Sequence, residues 1–488
     1  MSGPDNDRVS ASLSHSASPM DARQWWINAW RPSTTETTYE ISDIEGEVPR
    51  QLHGTLYRNG PSQKILPAQG HGALHLFDGD GLVHAFRIDD GRVFYAGRFV
   101  EHPTFVREQN EARYCMNGVG VPADDPVDGP RVQPNTNVVF HGGKLMALVE
   151  NGYPFELEPY SLAPMGTHDF GGSMLGMSVS AHPQVDVRNG QMMLHGYQPM
   201  PPYLQYYVLE RDGTCSVAET VDAPHAVMAH TMAITENYAI FPWAPACIDG
   251  QRLLGGGCFG ESLRWEPERG LRFGIRRREA GAATQWFTAP TAGYMFHHGN
   301  AYEDNGRIVM DACTYRDGQA LLDSLAKWRS AAIEPGMCAV PFAYEFDLHS
   351  GTCSERQLGE RGVEFPRIDD RLVGYENRYG YAVLNRAAAG SMEDIWSTIV
   401  RYDRRSGQEV VHDFGRWHWP GEPVFVPRSD AAAEDEGFIL CVVYDGRTDG
   451  SYLAVLDAQN VDGPLLAKCH LEHRIPMGFH GNFVPDVV

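Results

Sequence analysis

Apolar residues in this chain occur in short runs, and Gly, Asp and Asn turns separate them. Leu76–Arg87 and Arg92–Val100 read as two strands joined through Asp89-Asp90-Gly91. The same texture returns at Asn137–Glu150, Gly190–Tyr197, Tyr238–Pro242, Arg307–Cys313 and Phe342–Leu348. It continues at Tyr379–Leu384, Thr398–Tyr402, Gly437–Tyr444 and Tyr452–Asp457. Pairs such as Asn189-Gly190, Asp212-Gly213 and Asp445-Gly446 punctuate these runs, because such pairs favour tight turns. One segment breaks the pattern with helical spacing: Gln319–Ser330 predicts an amphipathic helix. Met116–Val132 is rich in turn residues and predicts an inserted loop without strands, and Ala431–Glu436 predicts a charged surface loop.

Residues 1–36 are expected to be a disordered leader, with Trp25, Trp26 and Trp30 available to anchor its end on the body. No shift in composition follows, so 37–488 is expected to form a single domain. Many short strands without a break suit an all-β propeller, which protects its sheet edges by radial repetition. The number of blades is not countable from the strands alone.

Composition narrows the partners. The formal charge of −23 and pI near 5.2 exclude nucleic acid, which needs clustered Lys and Arg. No run of apolar residues is long enough for a membrane span, and the polar, Ser-rich start lacks the features of a signal peptide. Nine scattered cysteines without a CxxC pair fit free thiols in a reducing compartment, and a cytoplasmic location is expected.

Four histidines stand at junctions between apolar runs and turns: His182, His230, His297 and His480. Their separations are long and form no compact motif. His297 is followed directly by His298. Adjacent residues on a strand face opposite ways, so only one of the two can look into a given site. Glu150, Glu364 and Glu422 sit at similar junctions. A carboxylate among apolar residues needs a partner, and the N–H of a metal-bound imidazole is a suitable one. Three unrelated salt bridges or exposed turns would account for the same glutamates.

The residues that carry these features resemble a known family. Tyr57-Arg58-Asn59-Gly60-Pro61, Phe77-Asp78-Gly79-Asp80-Gly81 and Asn135-Thr136-Asn137 are matching pieces. So are Ala147-Leu148-Val149-Glu150, Ala181-His182-Pro183 and His230 followed by Thr235-Glu236-Asn237-Tyr238. Phe296-His297-His298-Gly299-Asn300, Glu364-Phe365-Pro366-Arg367, Glu422-Pro423-Val424 and Gly478-Phe479-His480-Gly481 complete the set, in the family's order. The chain resembles the carotenoid cleavage oxygenases, a family that includes stilbene-cleaving dioxygenases and the retinoid isomerohydrolase. The resemblance implies a seven-bladed β-propeller with a cap of loops and short helices. It implies Fe(2+) on the axis, held by His182, His230, His297 and His480. Glu150, Glu364 and Glu422 would then accept from His230, His297 and His480, with no carboxylate for His182. Thr136 matches a position near an open coordination site.

The resemblance further implies a dioxygenase that uses O2 to cut a carbon–carbon double bond of a hydrophobic alkene into two carbonyls. No nicotinamide or flavin fingerprint is present, and that chemistry needs none. Stilbene-cleaving relatives use a Tyr and a Lys to bind a phenol. The Tyr position appears as Phe105 here, and no lysine lies between Lys64 and Lys144. This favours an apocarotenoid-like polyene over a stilbene or phenylpropenoid, which stays as the alternative substrate, and it marks Phe105 as a candidate substrate contact. A non-oxidative isomerase and a metal-free binding propeller remain as other classes. The predicted helix and the loop at Met200–Leu204 can form an apolar rim for weak membrane contact.

Overall fold

The computed structural model describes residues 22–66, 75–120, 123, 131–150, 152–176, 178–327, 338–385, 397–485 and 487. The predicted short strands form antiparallel sheets, because each turn pair returns the chain against the run it has just left. Asp90 and Gly91 both have positive φ, 46° and 77°, and close the hairpin between Asp80–Asp89 and Arg92–Phe99. Asn305 and Gly306 (49° and 83°) do the same between His298–Asp304 and Arg307–Thr314.

Seven sheets of four to six strands follow one another around a ring, with one two-stranded excursion at Ala246–Ile248 and Leu263–Trp265. The architecture is a seven-bladed β-propeller. The first blade begins with Asn137–His141, the second with Gln184–Asp186 and the third with Ala233–Ile234. The fourth begins with His298–Asp304, the fifth with Val363–Arg367 and the sixth with Val424–Pro427.

The seventh blade is built from both ends of the chain. Gly481–Val484, near the C-terminus, pairs antiparallel with Gly54–Ser62, in the register Thr55 to Val484 and Arg58 to Gly481. Thr37–Glu40 adds the outer edge of that blade, and Ile44–Gly46 crosses to the edge of the sixth. The ring therefore closes through main-chain hydrogen bonds between the two ends. All nine residues of Gly54–Ser62 and of Gly437–Asp445 are buried, as strands sandwiched between blades must be.

Two expectations change on contact with the tertiary structure. Leu76–Asp78 is a turn of 3-10 helix, and the strand begins only at Asp80. Here the predicted inserted loop intervenes. Its described end brings in Arg131, fully buried, which pairs with Asp80 and Glu108 and donates to the Asp78 carbonyl. Asp78 itself accepts from the Val119 and Gly120 amides. Those bonds take polar groups that a strand would have used. The second change is at the start of the chain. Residues 1–21 of the expected leader lie outside the described residues, but Ala22–Trp30 is a helix whose tryptophans pack on the propeller.

The predicted amphipathic helix runs Gly318–Lys327, and the rest of that prediction, 328–330, lies outside the described residues. All nine cysteines are unpaired. Among the described residues no helix is long and apolar enough to cross a membrane.

Several histidines are buried as neutral rings. Burial pushes His84 down to about 3, with its Nδ1 against the Tyr95 hydroxyl at 2.8 Å. Burial likewise pushes His195 down to about 4, although its bond to the Ala229 carbonyl acts the other way. In the unfolded chain these rings titrate near 6.5, so between about 6.5 and 4 the unfolded state binds more protons. Stability is thus complete above 6.5 and falls as the pH drops through that window, by about 1.4 kcal/mol per pH unit for each such ring. Urea unfolding of the metal-free protein at pH 7.5 and 4.5 should show this loss. His84→Gln should flatten the slope by about one ring's share; an unchanged slope would show that His84 is not held neutral.

Candidate metal centre

In a propeller the innermost strands run side by side along the axis, so the residues at their starts collect at one end of it. Each blade contributes one such residue here. Thr136 precedes the inner strand of the first blade, and His182 and His230 precede those of the second and third. His297 precedes that of the fourth, and Glu364 is the second residue of the fifth. Glu422 and His480 precede the inner strands of the sixth and seventh. Glu150 follows the second strand of the first blade, Lys144–Leu148.

Four of these residues offer ring nitrogens that lie within 4.8 Å of one another: His182, His230, His297 and His480. The imidazole centroids of His182 and His230 are 4.3 Å apart, and those of His297 and His480 are 4.8 Å apart. Three of the rings carry a carboxylate on the outer side. Glu150 pairs with His230 Nδ1. Glu364 Oε2 lies 2.6 Å from His297 Nδ1, and Glu422 Oε1 lies 3.0 Å from His480 Nδ1. Ionised carboxylates only accept, so each of these Nδ1 atoms donates to its glutamate, and in the neutral ring that tautomer leaves the lone pair on Nε2.

The donor set fits a metal cation. The Nε2 atoms of His297 and His480 face each other at 3.2 Å. In neutral rings whose Nδ1 protons go to glutamates, neither Nε2 has a proton for the other, and a shared cation accounts for the approach. Two nitrogens at about 2.1 Å from a shared ion and at right angles to it would be about 3 Å apart. Among the described residues His182 has no carboxylate partner, and its buried Nε2 has no hydrogen-bond partner. A metal ion would satisfy all of these lone pairs.

The electrostatics keep the rings in the ligating state. Burial holds His182 well below the usual histidine range, and the neighbouring histidines act in the same direction. Burial pushes His480 down to about 4, against the pull of Glu422. Burial alone would raise Glu422, but Arg367 and His480 outweigh it and hold the carboxyl at about 2. Neutral imidazoles beside ionised carboxylates are the protonation states that metal binding requires.

The carboxylates are themselves held. Tyr197 donates to Glu150 Oε2 at 2.8 Å. Arg367 reaches Glu422 Oε2 at 3.2 Å, and the Gly481 amide donates to the same oxygen at 2.9 Å. The role of Tyr197 was not visible in the sequence, since nothing local links it to a glutamate 47 residues away. Arg367 lies in the Glu364-Phe365-Pro366-Arg367 piece but serves the glutamate of another blade. Phe365 adopts φ of 54° where the pairing shifts between Glu364 and Arg367. Left-handed backbone is costly for phenylalanine. It stacks the ring on His297, with centroids 5.3 Å apart, while Glu364 keeps facing the same histidine. Phe296 sits edge-on to His230 at 4.9 Å, and Phe77 contacts both Phe296 and Phe479.

His298 is not part of the nitrogen cluster. It opens the inner strand of the fourth blade, and its Nδ1 lies 3.0 Å from Thr231 Oγ1. Thr136 is half-buried; its hydroxyl donates to Asn135 and its carbonyl accepts from the His480 amide. Phe105 lies apart from the histidines, on the helix Pro103–Glu111, and packs with Leu82 and Phe99. The sequence had marked it as a substrate contact by position alone.

The family model described as Retinal pigment epithelial membrane protein matches residues 30–485. The chain is 32% identical to the apocarotenoid-15,15'-oxygenase of Synechocystis, over 97% of this chain and 98% of the relative. It is 31% identical to the isoeugenol monooxygenase of Pseudomonas putida, over 92% and 95%. The crystal structure of the cobalt-substituted Synechocystis oxygenase superposes with a TM-score of 0.85 at 30% identity, covering 95% of this chain and 98% of that one. With the fold and nearly the whole length in common, this chain belongs to the family of the retinal pigment epithelial membrane protein and the carotenoid cleavage oxygenases.

Proposed function

We propose that the protein is a non-haem iron dioxygenase that cleaves a carbon–carbon double bond of an apocarotenoid-like polyene into two carbonyl products with O2. The observation that carries this reading is the set of four clustered imidazoles, three of them backed by carboxylates. His182, His230, His297 and His480 would hold the metal. Imidazole sets of this kind suit iron as well as zinc or copper, and the kinship with named oxygenases favours iron. Bound ferrous iron would supply the activation of dioxygen.

The protein's own part is to hold and exclude. Glu150, Glu364 and Glu422 keep the Nδ1 protons in place and fix each ring's orientation. Phe296 and Phe365 cover the histidines with apolar surface, which excludes water and suits an alkene. Thr136, at the inner-strand start of the first blade, is the candidate side chain beside the reacting centre.

The kinship alone does not choose between an apocarotenoid and a phenylpropenoid, at 32% and 31% identity. The lysines favour the former. Of the four in the sequence, Lys64, Lys144 and Lys468 lie beside Glu36, Glu156 and Glu45, at 2.8, 2.7 and 3.6 Å. None of these three is free to hold a phenolate at the histidine cluster. Residues 37–488 would act as one catalytic domain.

Two experiments test the assignment. Incubation of the iron-loaded protein with an apocarotenal under labelled O2 should place label in both trapped carbonyl products; label in one product only would sink the dioxygenase scheme, and turnover confined to phenylpropenoids would move the substrate to the alternative. The second is metal analysis. His297→Ala should lose the metal, while His298→Ala should retain it. Glu364→Gln should weaken metal affinity about 10- to 100-fold, as loss of an outer carboxylate does elsewhere. Equal metal content in His297→Ala and His298→Ala would overturn the ligand assignment.

A further inference from the structure

We infer that the amino-terminal helix Ala22–Trp30 is a strap that positions His480, and with it Glu422, for metal binding. The inference rests on the metal-ligand reading of His480 given above. All but the last residue of this helix precede the segment matched by the family model.

The need for a strap comes from how His480 is delivered. The chain reaches it through residues 471–479, which contain neither strand nor helix. Such a segment has no ladder of its own to fix it. Its anchors come from elsewhere. Arg474 donates to the Arg31 carbonyl at 2.7 Å, and the Met477 amide donates to the Ala29 carbonyl at 2.9 Å. The Phe479 amide donates to Asn59 at 3.0 Å, and its ring lies 5.7 Å from that of Trp30. Two of the backbone anchors therefore belong to the helix or to the residue that follows it.

The helix also grips the segment that leads to Glu422. Trp25 is 1% exposed, and its indole N–H donates to the Trp417 carbonyl at 3.0 Å. Trp26, Trp25 and Trp30 surround Trp419, with centroids 4.7, 5.0 and 6.0 Å away. Trp419 lies in His418–Pro420, just before Glu422. The helix thus bridges the two segments whose tips form the His480–Glu422 pair. One aromatic cluster, with Met477 and Phe479 as further members, fixes donor and acceptor against each other. The tryptophans are positioning residues, since none of them belongs to the cluster of ligating nitrogens.

The test uses the full chain loaded with cobalt(II), and reads metal dissociation by chelator competition together with hydrogen exchange at the Met477 amide. Trp25→Ala/Trp26→Ala should release the helix, expose that amide to exchange and speed cobalt loss about tenfold, at the low end of the effect of outer supports on metal sites. Phe287→Ala, a buried change in the outer strand Thr284–Thr288 of the third blade, outside the clusters that hold the helix and residues 471–479, controls for general loss of stability and should leave dissociation within about twofold. If the double variant does not fold, Trp30→Ala is measured instead, with the same direction expected. Dissociation as slow as in the parent overturns the strap. Failure of the unaltered protein to bind cobalt would instead strike the metal reading itself.

Discussion

The site depends on an arrangement that makes little sense without a cation. Imidazole nitrogens stripped of protons are held within 4.8 Å of each other, in a buried place where a lone pair without a partner is costly. The cause lies one layer out. Glu364 and Glu422 accept the Nδ1 protons of His297 and His480, and Arg367 and Tyr197 in turn hold Glu422 and Glu150. Each layer fixes the protonation of the layer inside it. His182 is the exception, with no carboxylate and an unpartnered Nε2 among the described residues, and its burial most plainly fits a metal.

The propeller supplies the convergence. Seven inner strands start at one end of the axis, and the residue at each start is delivered to the same small volume. His480 differs from the other three histidines because its strand closes the ring, pairing with Gly54–Ser62 from the far end of the chain. Ring closure is thereby what brings His480 to the other three histidines. The amino-terminal helix falls into the same scheme, since it ties down the irregular segment that closure leaves behind.

Where the sequence was legible, the cause was local. Asp90-Gly91 and Asn305-Gly306 announce hairpins because those residues tolerate positive φ, and the strands follow from the turns. Family motifs carried the histidines and glutamates by position. Leu76–Asp78 misled because it is apolar like a strand, while its polar groups are claimed by Arg131 and by the Val119 and Gly120 amides. Phe105 was matched by position, and its ring stacks on Phe99, 5.4 Å away. Tyr197, and the service of Arg367 to Glu422, had no local signal at all.

The sequence by itself determined the many-stranded β architecture, the residue types suited to a metal centre and the acidic surface, because turn chemistry, apolar runs and charge are properties of neighbouring residues. It also separated His297 from His298 to the extent that strand neighbours must face opposite ways. Only the tertiary structure decided which nitrogens meet, which glutamate faces which histidine, and that the tryptophans near the start of the chain pack on the segments before Glu422 and His480. Such pairings join residues far apart in the chain, 58 positions for His480 with Glu422 and 392 for Trp25 with Trp417. Distances of that kind are set by ring closure and blade packing, which no local pattern encodes.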